Sequence, residues 1–408
     1  YWPSDRCVEG GAGAGADTVL VDLTGVASAK ALRESLHRRL AGRQLSGSGG
    51  VQRILLVARD DEDGCEGGFD GVVDGATREG VLQGFVRSLS KEVARGGVTC
   101  NALLLRRGAG EVALAGPLLW LASPAAAYVT GQVWPVTPGR GGSGAPSLDG
   151  LFDVAGRRVL VTGAGGGIGA ETCELLAARG AELLVSDLAA NEERLRDFCA
   201  RHANARYACA DAKDPSGAAS ALEAAMLEDC GWDTVDAVVL NAGLTRDRTL
   251  RKMQAAEWDD VLTVNLDMPL ALLRRLVPTA ERPQPSLSLS DAGRAVFLSS
   301  ISGVGGNGGQ TNYAAAKSAL AAAAARISRA GLLGGARVNC VAPGFIHSEM
   351  TKKIPVLQRE VIMRMNNLQQ GGLPRDIAEA IAFLCAAEAS DGINGVNLRV
   401  CGGHLLGR

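Results

Sequence analysis

Several marks of specialised function are missing from this sequence. It has no Cys-x-x-Cys and no Cys or His pair at zinc-ligand spacing, although ten cysteines are scattered along its 408 residues. That excludes a disulfide-stapled module and gives no metal site, and the thiols read as reduced and mostly buried. No uninterrupted apolar stretch approaches the ~18 residues that a membrane-spanning helix needs, and the candidate alanine run, Ala319 to Ala325, is too short to span a bilayer. Neither sign of charge is in excess. The 42 Lys and Arg stand against 44 Asp and Glu, a formal −2, so nothing draws the chain as a whole toward nucleic acid or an anionic membrane. Aromatic residues make up 4% while glycines number 54, which points to aliphatic packing interrupted by many tight turns. The length suits two or three globular domains. A soluble intracellular protein is expected, in the cytoplasm or in a mitochondrial or plastid matrix, and the start at Tyr1 rather than Met leaves the compartment open.

What is present falls into two halves. Pro138 to Gly150 is rich in Pro, Gly and Ser without periodicity, as a linker is. It separates residues 1–140 from 151–408, with the linker itself at 141–150. Downstream, strand-like runs (Arg158 to Thr162, Glu182 to Asp187, Ala237 to Asn241, Ala295 to Ser299) alternate with helix-length segments. Upstream, Thr18 to Leu23, Arg53 to Ala58 and Val98 to Leu105 give a shorter version of the same alternation. The expected class is α/β, with two tandem doubly wound parallel-sheet (Rossmann-like) units, the first shortened and degenerate. The halves also resemble each other in order: Gly80 to Asn101 matches Ala319 to Asn339, and Leu118 to Val136 matches Ile381 to Val400, as in a duplicated unit. Gly10 to Gly15 precedes the first strand and reads as a flexible leader.

Val159 to Thr162 is an apolar strand that opens into Gly163-Ala164-Gly165-Gly166-Gly167-Ile168-Gly169 and then a helix. That order makes a phosphate site. Gly163, Gly165, Gly167, Ile168 and Gly169 allow a tight turn and close approach of backbone N–H groups, and the helix N-terminus adds partial positive charge. Asp187 ends the next strand, where its carboxylate accepts from ribose hydroxyls and repels a 2′-phosphate. No arginine lies within the glycine turn to offset it, so NAD(H) is expected over NADP(H). Asp211, after the third strand, is placed to contact adenine.

Tyr313 and Lys317 are four apart in a helix-forming segment and so share a face, and Ser300 ends a strand upstream. A phenol with an ordinary pKa of ~10 needs a neighbouring cation to act at neutral pH, and Lys317 supplies one. Ser300 would hold a carbonyl oxygen near the phenol, and Asn265 would anchor a water feeding Lys317. With Asn241-Ala242-Gly243 after a central strand, these residues stand in the order seen in the short-chain dehydrogenase/reductase family, which the chain resembles from about Gly156 to Gly403. Asn241, Ala242 and Gly243 match that family's Asn-Ala-Gly, and the resemblance implies that Tyr313 and Lys317 also bind the cofactor. Pro343, Gly344 and Ile346 match the segment that flanks the nicotinamide and leads into a substrate lid.

Within the family the chain is similar to β-ketoacyl carrier-protein reductases, through Ala242 to Asp247, Met253 to Trp258 and Gly306 to Tyr313. Its two-unit length resembles the high-molecular-weight members, which implies NADH-linked reduction of a 3-oxoacyl-CoA or 3-oxoacyl carrier-protein thioester. The same groups serve the reverse oxidation of a 3-hydroxyacyl-CoA or an alcohol, and a structural subunit of a larger complex is the non-enzymatic alternative. A homo-oligomer, dimer or tetramer, is implied. Some positions depart from the pattern: Asp291 and Gly334 stand where carrier-docking bases are usual, Cys401 replaces an Asp, and Glu281 to Ala292 reads as an insertion. Arg274-Arg275 and Lys352-Lys353 are candidate contacts for a CoA phosphate. In the first half, Asp74 falls at the tyrosine position and Arg78 at the lysine position, so no catalysis is expected there.

Overall fold

The computed structural model describes residues 7–9, 18–26, 28–40, 51–60, 68–140, 150, 152–348, 351 and 355–404. The leader at Gly10 to Gly15, the linker residues 141–149 and Lys352-Lys353 lie outside these. Among the described residues two sheets form. The first has β1 (Cys7–Glu9), β2 (Thr18–Leu23), β3 (Arg53–Asp60), β4 (Thr99–Arg106) and β5 (Gln132–Val136) in sequence order, with β1 antiparallel and the others parallel. Helices α1 (Ala29–Leu40), α2 (Gly68–Val93) and α3 (Glu111–Ala122) make its crossovers. The second sheet has β6 (Arg158–Thr162), β7 (Glu182–Asp187), β8 (Ala205–Cys209), β9 (Thr234–Leu240), β10 (Ser288–Leu298), β11 (Arg337–Pro343) and β12 (Asn397–Val400). Its order is β12-β11-β10-β9-β6-β7-β8, parallel throughout. Around it lie α4 (Gly167–Ala178), α5 (Glu192–Arg201), α6 (Pro215–Ala224), α7 (Ala255–Leu262), α8 (Met268–Arg275), α9 (Ile301–Gly305), α10 (Thr311–Arg329), α11 (Val356–Arg364) and α12 (Pro374–Cys385).

Central parallel strands covered on both faces must be apolar on both, and Val159 to Val161 and Ala237 to Val239 are indeed fully buried. The chain reverses direction of winding between β6 and β9, which are neighbours, and a crevice opens at their carboxyl ends. The segment expected as an insertion is in part sheet: β10 begins at Ser288 and pairs with β9, with a register shift between Leu289 and Arg294. The Pro and Ser content hid that start, because a bulge absorbs the irregular residues.

The succession β2, β3, β4, β5 in the smaller sheet is ordered like β9, β10, β11, β12 in the larger one. Local bonds repeat as well. Asn101 Nδ2 donates to the Val129 carbonyl at 2.8 Å, as Asn339 Nδ2 does to Ile393 at 2.8 Å. The Gly131 N–H meets the Cys100 carbonyl as the Gly395 N–H meets Val338, both at 2.8 Å. Ser90 faces Gly131 as Ser328 faces Gly395, and buried Leu82 and Val86 fall on Leu320 and Ala324. Setting Asn101 on Asn339 moves the pairing one residue from that of Gly80 with Ala319, so that Gly75 and Glu79, rather than Asp74 and Arg78, fall opposite Tyr313 and Lys317. Arg78 instead pairs with Asp74 at 2.8 Å.

The two sheets share one core. Leu55, Val57, Leu103 and Leu105 of the first unit belong to the same buried cluster as Val159, Val161 and Leu384. At the junction, Trp120 of α3 stacks on Phe383 of α12 with ring centroids 4.9 Å apart, and on Trp134 at 5.8 Å. Close approach needs a glycine here: a Cβ on Gly116 would sit 2.0 Å from the Ala389 carbonyl oxygen. Asp391 adds a polar clasp, accepting from the Arg140 N–H at 2.7 Å and from Arg294, whose side chain is 1% exposed.

Candidate active site

The crevice is built from the end of β6. Thr162 Oγ1 accepts from the N–H groups of Asn241 (3.1 Å) and Ala242 (3.2 Å), while Asn241 Nδ2 donates to the carbonyls of Thr162 (3.0 Å) and Gly163 (2.9 Å). The two strand ends are thereby locked together. Gly163 has φ +69, and a Cβ there would come 2.8 Å from the Ala242 Cα, so both conformation and space require glycine. A Cβ on Gly169 would lie 1.9 Å from the Gly163 carbonyl oxygen, whereas Gly167, at the start of α4, faces open space. No side chain caps α4, which leaves its first N–H groups free to meet an anion in the crevice.

Asp187 does more than its sequence position suggests. Its carboxylate accepts from the Gly165 N–H (2.8 Å), the Leu188 N–H (2.7 Å) and Asn191 Nδ2 (2.8 Å), so it holds the glycine turn while lining the crevice. Asp211 is exposed and accepts from the Lys213 N–H at 2.9 Å. Arg194, on α5, lines the same end and donates to the Gly165 carbonyl at 3.0 Å. Sequence reasoning missed it because it looked for cations inside the turn, and Arg194 reaches the turn from the next helix but one.

At the other end, β10 runs into Ser299 and Ser300. Ser300 caps α9, its Oγ accepting from the Ser302 N–H at 3.1 Å. Tyr313 and Lys317 project from the first turns of α10, with Lys317 Nζ 5.6 Å from the phenol ring centroid. Lys317 is buried, donates to the Leu298 carbonyl at 2.7 Å, and burial lowers its ammonium to about 8. Burial pushes the Tyr313 phenol above its ordinary value, the hydrogen bond from Ser300 opposes this, and Asp247 adds to the rise. Desolvation is thus the largest influence on the phenol, and Lys317 directs its ammonium at a backbone carbonyl. Asn265 lies in a π-helical turn between α7 and α8, fully buried, with Nδ2 donating to Leu244 (2.8 Å) and Val261 (2.9 Å). Its Oδ1 has no protein partner. A Cβ on Gly243 would stand 2.6 Å from that oxygen and 3.4 Å from Lys317 Nζ, so both atoms face the space this glycine leaves.

One cavity of about 580 Å³ joins the two ends. Gly163, Gly167, Ile168, Asp187, Asp211, Asn241, Ala242, Gly243, Ser300, Tyr313, Lys317, Pro343, Gly344 and Ile346 line it, while Gly165, Gly169 and Asn265 stand behind its wall. Thr245, Ser348 and Thr351 line it too and were not singled out from sequence; Thr351 Oγ1 donates to the Ile346 carbonyl at 2.7 Å. Arg275 is not at the cavity and pairs with Glu223 at 2.6 Å, and Arg274, which is exposed, does not line it either. Among the described residues no group of three or more His, Cys, Asp or Glu could hold a metal ion, and no helix is long and apolar enough to cross a membrane.

A seven-stranded parallel sheet, wound both ways and carrying one deep crevice at its switch point, defines a doubly wound α/β protein. Comparison narrows the class. A family model described as Enoyl-(Acyl carrier protein) reductase matches residues 163–404. The 3-oxoacyl-[acyl-carrier-protein] reductase FabG of Escherichia coli is 36% identical over 252 residues, 62% of this chain and 98% of that one. The Nodulation protein G of a Rhizobium species is 35% identical over 268 residues, 63% of this chain and all of that one. A solved structure of a blue fluorescent protein from a metagenomic library, in complex with NADPH, superposes with a TM-score of 0.55 at 28% identity, over 62% of this chain and 98% of its own. The chain belongs to the short-chain dehydrogenase/reductase family, a family of oxidoreductases. The match falls on the second unit, and residues before 163 lie outside the family model.

Proposed function

We propose that the chain reduces 3-oxoacyl thioesters, on carrier protein or CoA, to 3-hydroxyacyl thioesters with NADH. The observation that carries the reading is that Ser300, Tyr313 and Lys317 line the cavity whose far end is the glycine turn of α4. The chain's residues fit a dinucleotide: glycines keep Cβ atoms out of the turn, Gly167 opens onto the cavity, and uncapped N–H groups of α4 await a pyrophosphate. Gly163 to Gly169 would hold the phosphates, Asp187 the adenosine ribose, Asp211 the adenine, Asn241 to Gly243 the stack above the sheet, and Pro343, Gly344 and Ile346 the nicotinamide end. When bound, a reduced nicotinamide supplies the hydride that forms the new C–H bond at the β-carbon.

The residues do the rest. Ser300 donates to the ketone oxygen and fixes its direction. As the C=O π bond breaks, its electron pair passes to oxygen, and Tyr313 delivers the phenolic proton there, forming the hydroxyl. The raised phenol suits this direction, since it arrives protonated at neutral pH. The Lys317 ammonium then stabilises the phenolate, and Asn265 Oδ1, facing the same space, is suited to hold a water through which the proton is restored.

Preference for NADH rests on Asp187, fixed by three hydrogen bonds, and on the commitment of nearby cations elsewhere: Arg194 to the Gly165 carbonyl, Lys213 to Asp260 at 2.8 Å. The related fold solved with NADPH makes the phosphorylated cofactor the competing outcome. Initial rates with acetoacetyl-CoA and a 3-oxoacyl carrier protein, each with NADH and NADPH, test both parts. NADH is expected to be preferred, and Asp187→Ser to erase the preference; a wild type that favours NADPH contradicts the assignment of Asp187. The repeated hydrogen bonds of Asn101 and Asn339 support residues 1–140 as a degenerate, non-catalytic copy of the second half of unit 151–408.

A further inference from the structure

Tyr128 belongs to the first unit, in the turn before β5, yet it is seated in the second. Its ring is 2% exposed and lies in a slot that two glycines leave open: a Cβ on Gly372 would be 2.5 Å from Tyr128 Cε1, and one on Gly402 2.7 Å from Cε2. Its hydroxyl donates to the Gln370 carbonyl at 2.9 Å and accepts from Asn366 Nδ2 at 3.3 Å, and its own carbonyl accepts from the Gly402 N–H at 2.9 Å. These partners are not peripheral. Gly372 bridges Ile346, its N–H donating to the Phe345 carbonyl at 2.9 Å and its carbonyl accepting from the His347 N–H at 2.8 Å. Gly344 to Ser348 is the cavity wall on that side.

The chain leaves this wall at Ser348, forms α11 with Val356, Leu357 and Val361 exposed, and returns through Asn366 to Gln370. The return contains Gln369 at φ +54, the one described non-glycine residue with positive φ, a conformation that persists only when its surroundings enforce it. Tyr128 and Asn366 bond to the Gln370 carbonyl directly beside it. One hydroxyl from the first unit thus fastens the strained return and, through Gly372, the wall at Ile346.

We propose that Tyr128 is a positioning residue for the site, through which the non-catalytic first unit holds the Gly344–Ser348 wall and the trailing end of the α11 excursion in register with Tyr313 and Lys317. This rests on the reductase reading in naming the wall as the nicotinamide end. It gives the first unit a part in the chemistry of the second, beyond shared packing.

The test uses the full chain with Tyr128→Phe, which keeps the ring and removes the hydroxyl, and Asn366→Ala, which removes its partner. The control is Trp120→Phe, at the same junction but away from the wall. Hydrogen exchange on the free chain reads the fastening directly. The amides of His347 and Gly372 are expected to exchange about fivefold faster in Tyr128→Phe and Asn366→Ala, as for one lost neutral hydrogen bond, and to be unchanged in Trp120→Phe. Fluorescence titration should show NADH bound about fivefold more weakly in the same two variants. Unchanged exchange in both variants, or equal acceleration in Trp120→Phe, overturns the proposal. A wild type that binds neither NADH nor NADPH overturns the reductase reading instead, and exchange in the free chain then still decides whether Tyr128 fastens the wall.

Discussion

Lys317 is an ammonium shut away from water with a backbone carbonyl as its bonded partner and no carboxylate beside it. Burial lowers it from 10.5 to about 8, so between those values the unfolded chain binds a proton that the folded chain does not. Stability should therefore gain a rising component across that window, and denaturant midpoints measured from pH 7.5 to 10.5 should show it flattened in Lys317→Met. The same titration governs reduction: kcat/KM is expected to fall as pH rises through about 8, where the ammonium that steadies the Tyr313 phenolate is lost. Spacing of four on a helix put Tyr313 and Lys317 on one face in the sequence, and their order after the glycine turn, Asn265 and Ser300, through its resemblance to a family pattern, singled them out. Arg194 was not singled out, since nothing in its neighbourhood along the chain says that α5 returns to the glycine turn. Nor could the sequence disclose that Asp187 spends its carboxylate on three local hydrogen bonds, which only the folded turn brings within reach.

The glycine turn between β6 and α4 shows why some elements declare themselves. A run of small residues between an apolar strand and a helix has few alternative uses, and every glycine whose Cβ would collide is one that the sequence had to supply. Gly169→Ala would drive a methyl to within 1.9 Å of the Gly163 carbonyl and displace the turn. The expected loss is about 1–3 kcal/mol of stability in urea unfolding, with NADH affinity falling by more than tenfold. Retained affinity would mean that the turn is not the phosphate site. The alternation of strands and helices was readable at β2, β3, β4, β6, β7 and β9, where apolar runs are long enough to declare a strand, but not at the three-residue β1, which pairs antiparallel at the sheet edge. Register was less so. Between α2 and α10 a run of Ala and Ser fits several offsets, and the matched bonds of Asn101 and Asn339 favour one a residue away from the pairing of Gly80 with Ala319. The beginning of β10 was hidden for a related reason, its irregular residues being taken up in a shift of pairing with β9.

The molecule as a whole is held together at the junction of its two sheets, which bury a common cluster in which Trp120, Trp134 and Phe383 stack. In a chain with so few aromatic residues, placing three of them together marks this contact as a main source of cohesion. Phe383→Ala should cost about 3–5 kcal/mol in a single unfolding transition that includes both units. Two separate transitions, only one of them shifted, would show the units to be independent. What ties the fold to chemistry is still the cavity with Tyr313 on its wall. The decisive measurement is NADH consumption with acetoacetyl-CoA by wild type and Tyr313→Phe, alongside NADH binding to each. The account predicts turnover by the wild type, a loss of about 10²–10⁴-fold in kcat in the variant, and NADH bound by both within a few-fold. Turnover undiminished in Tyr313→Phe, or none in a folded wild type across a range of 3-oxoacyl thioesters, would contradict it.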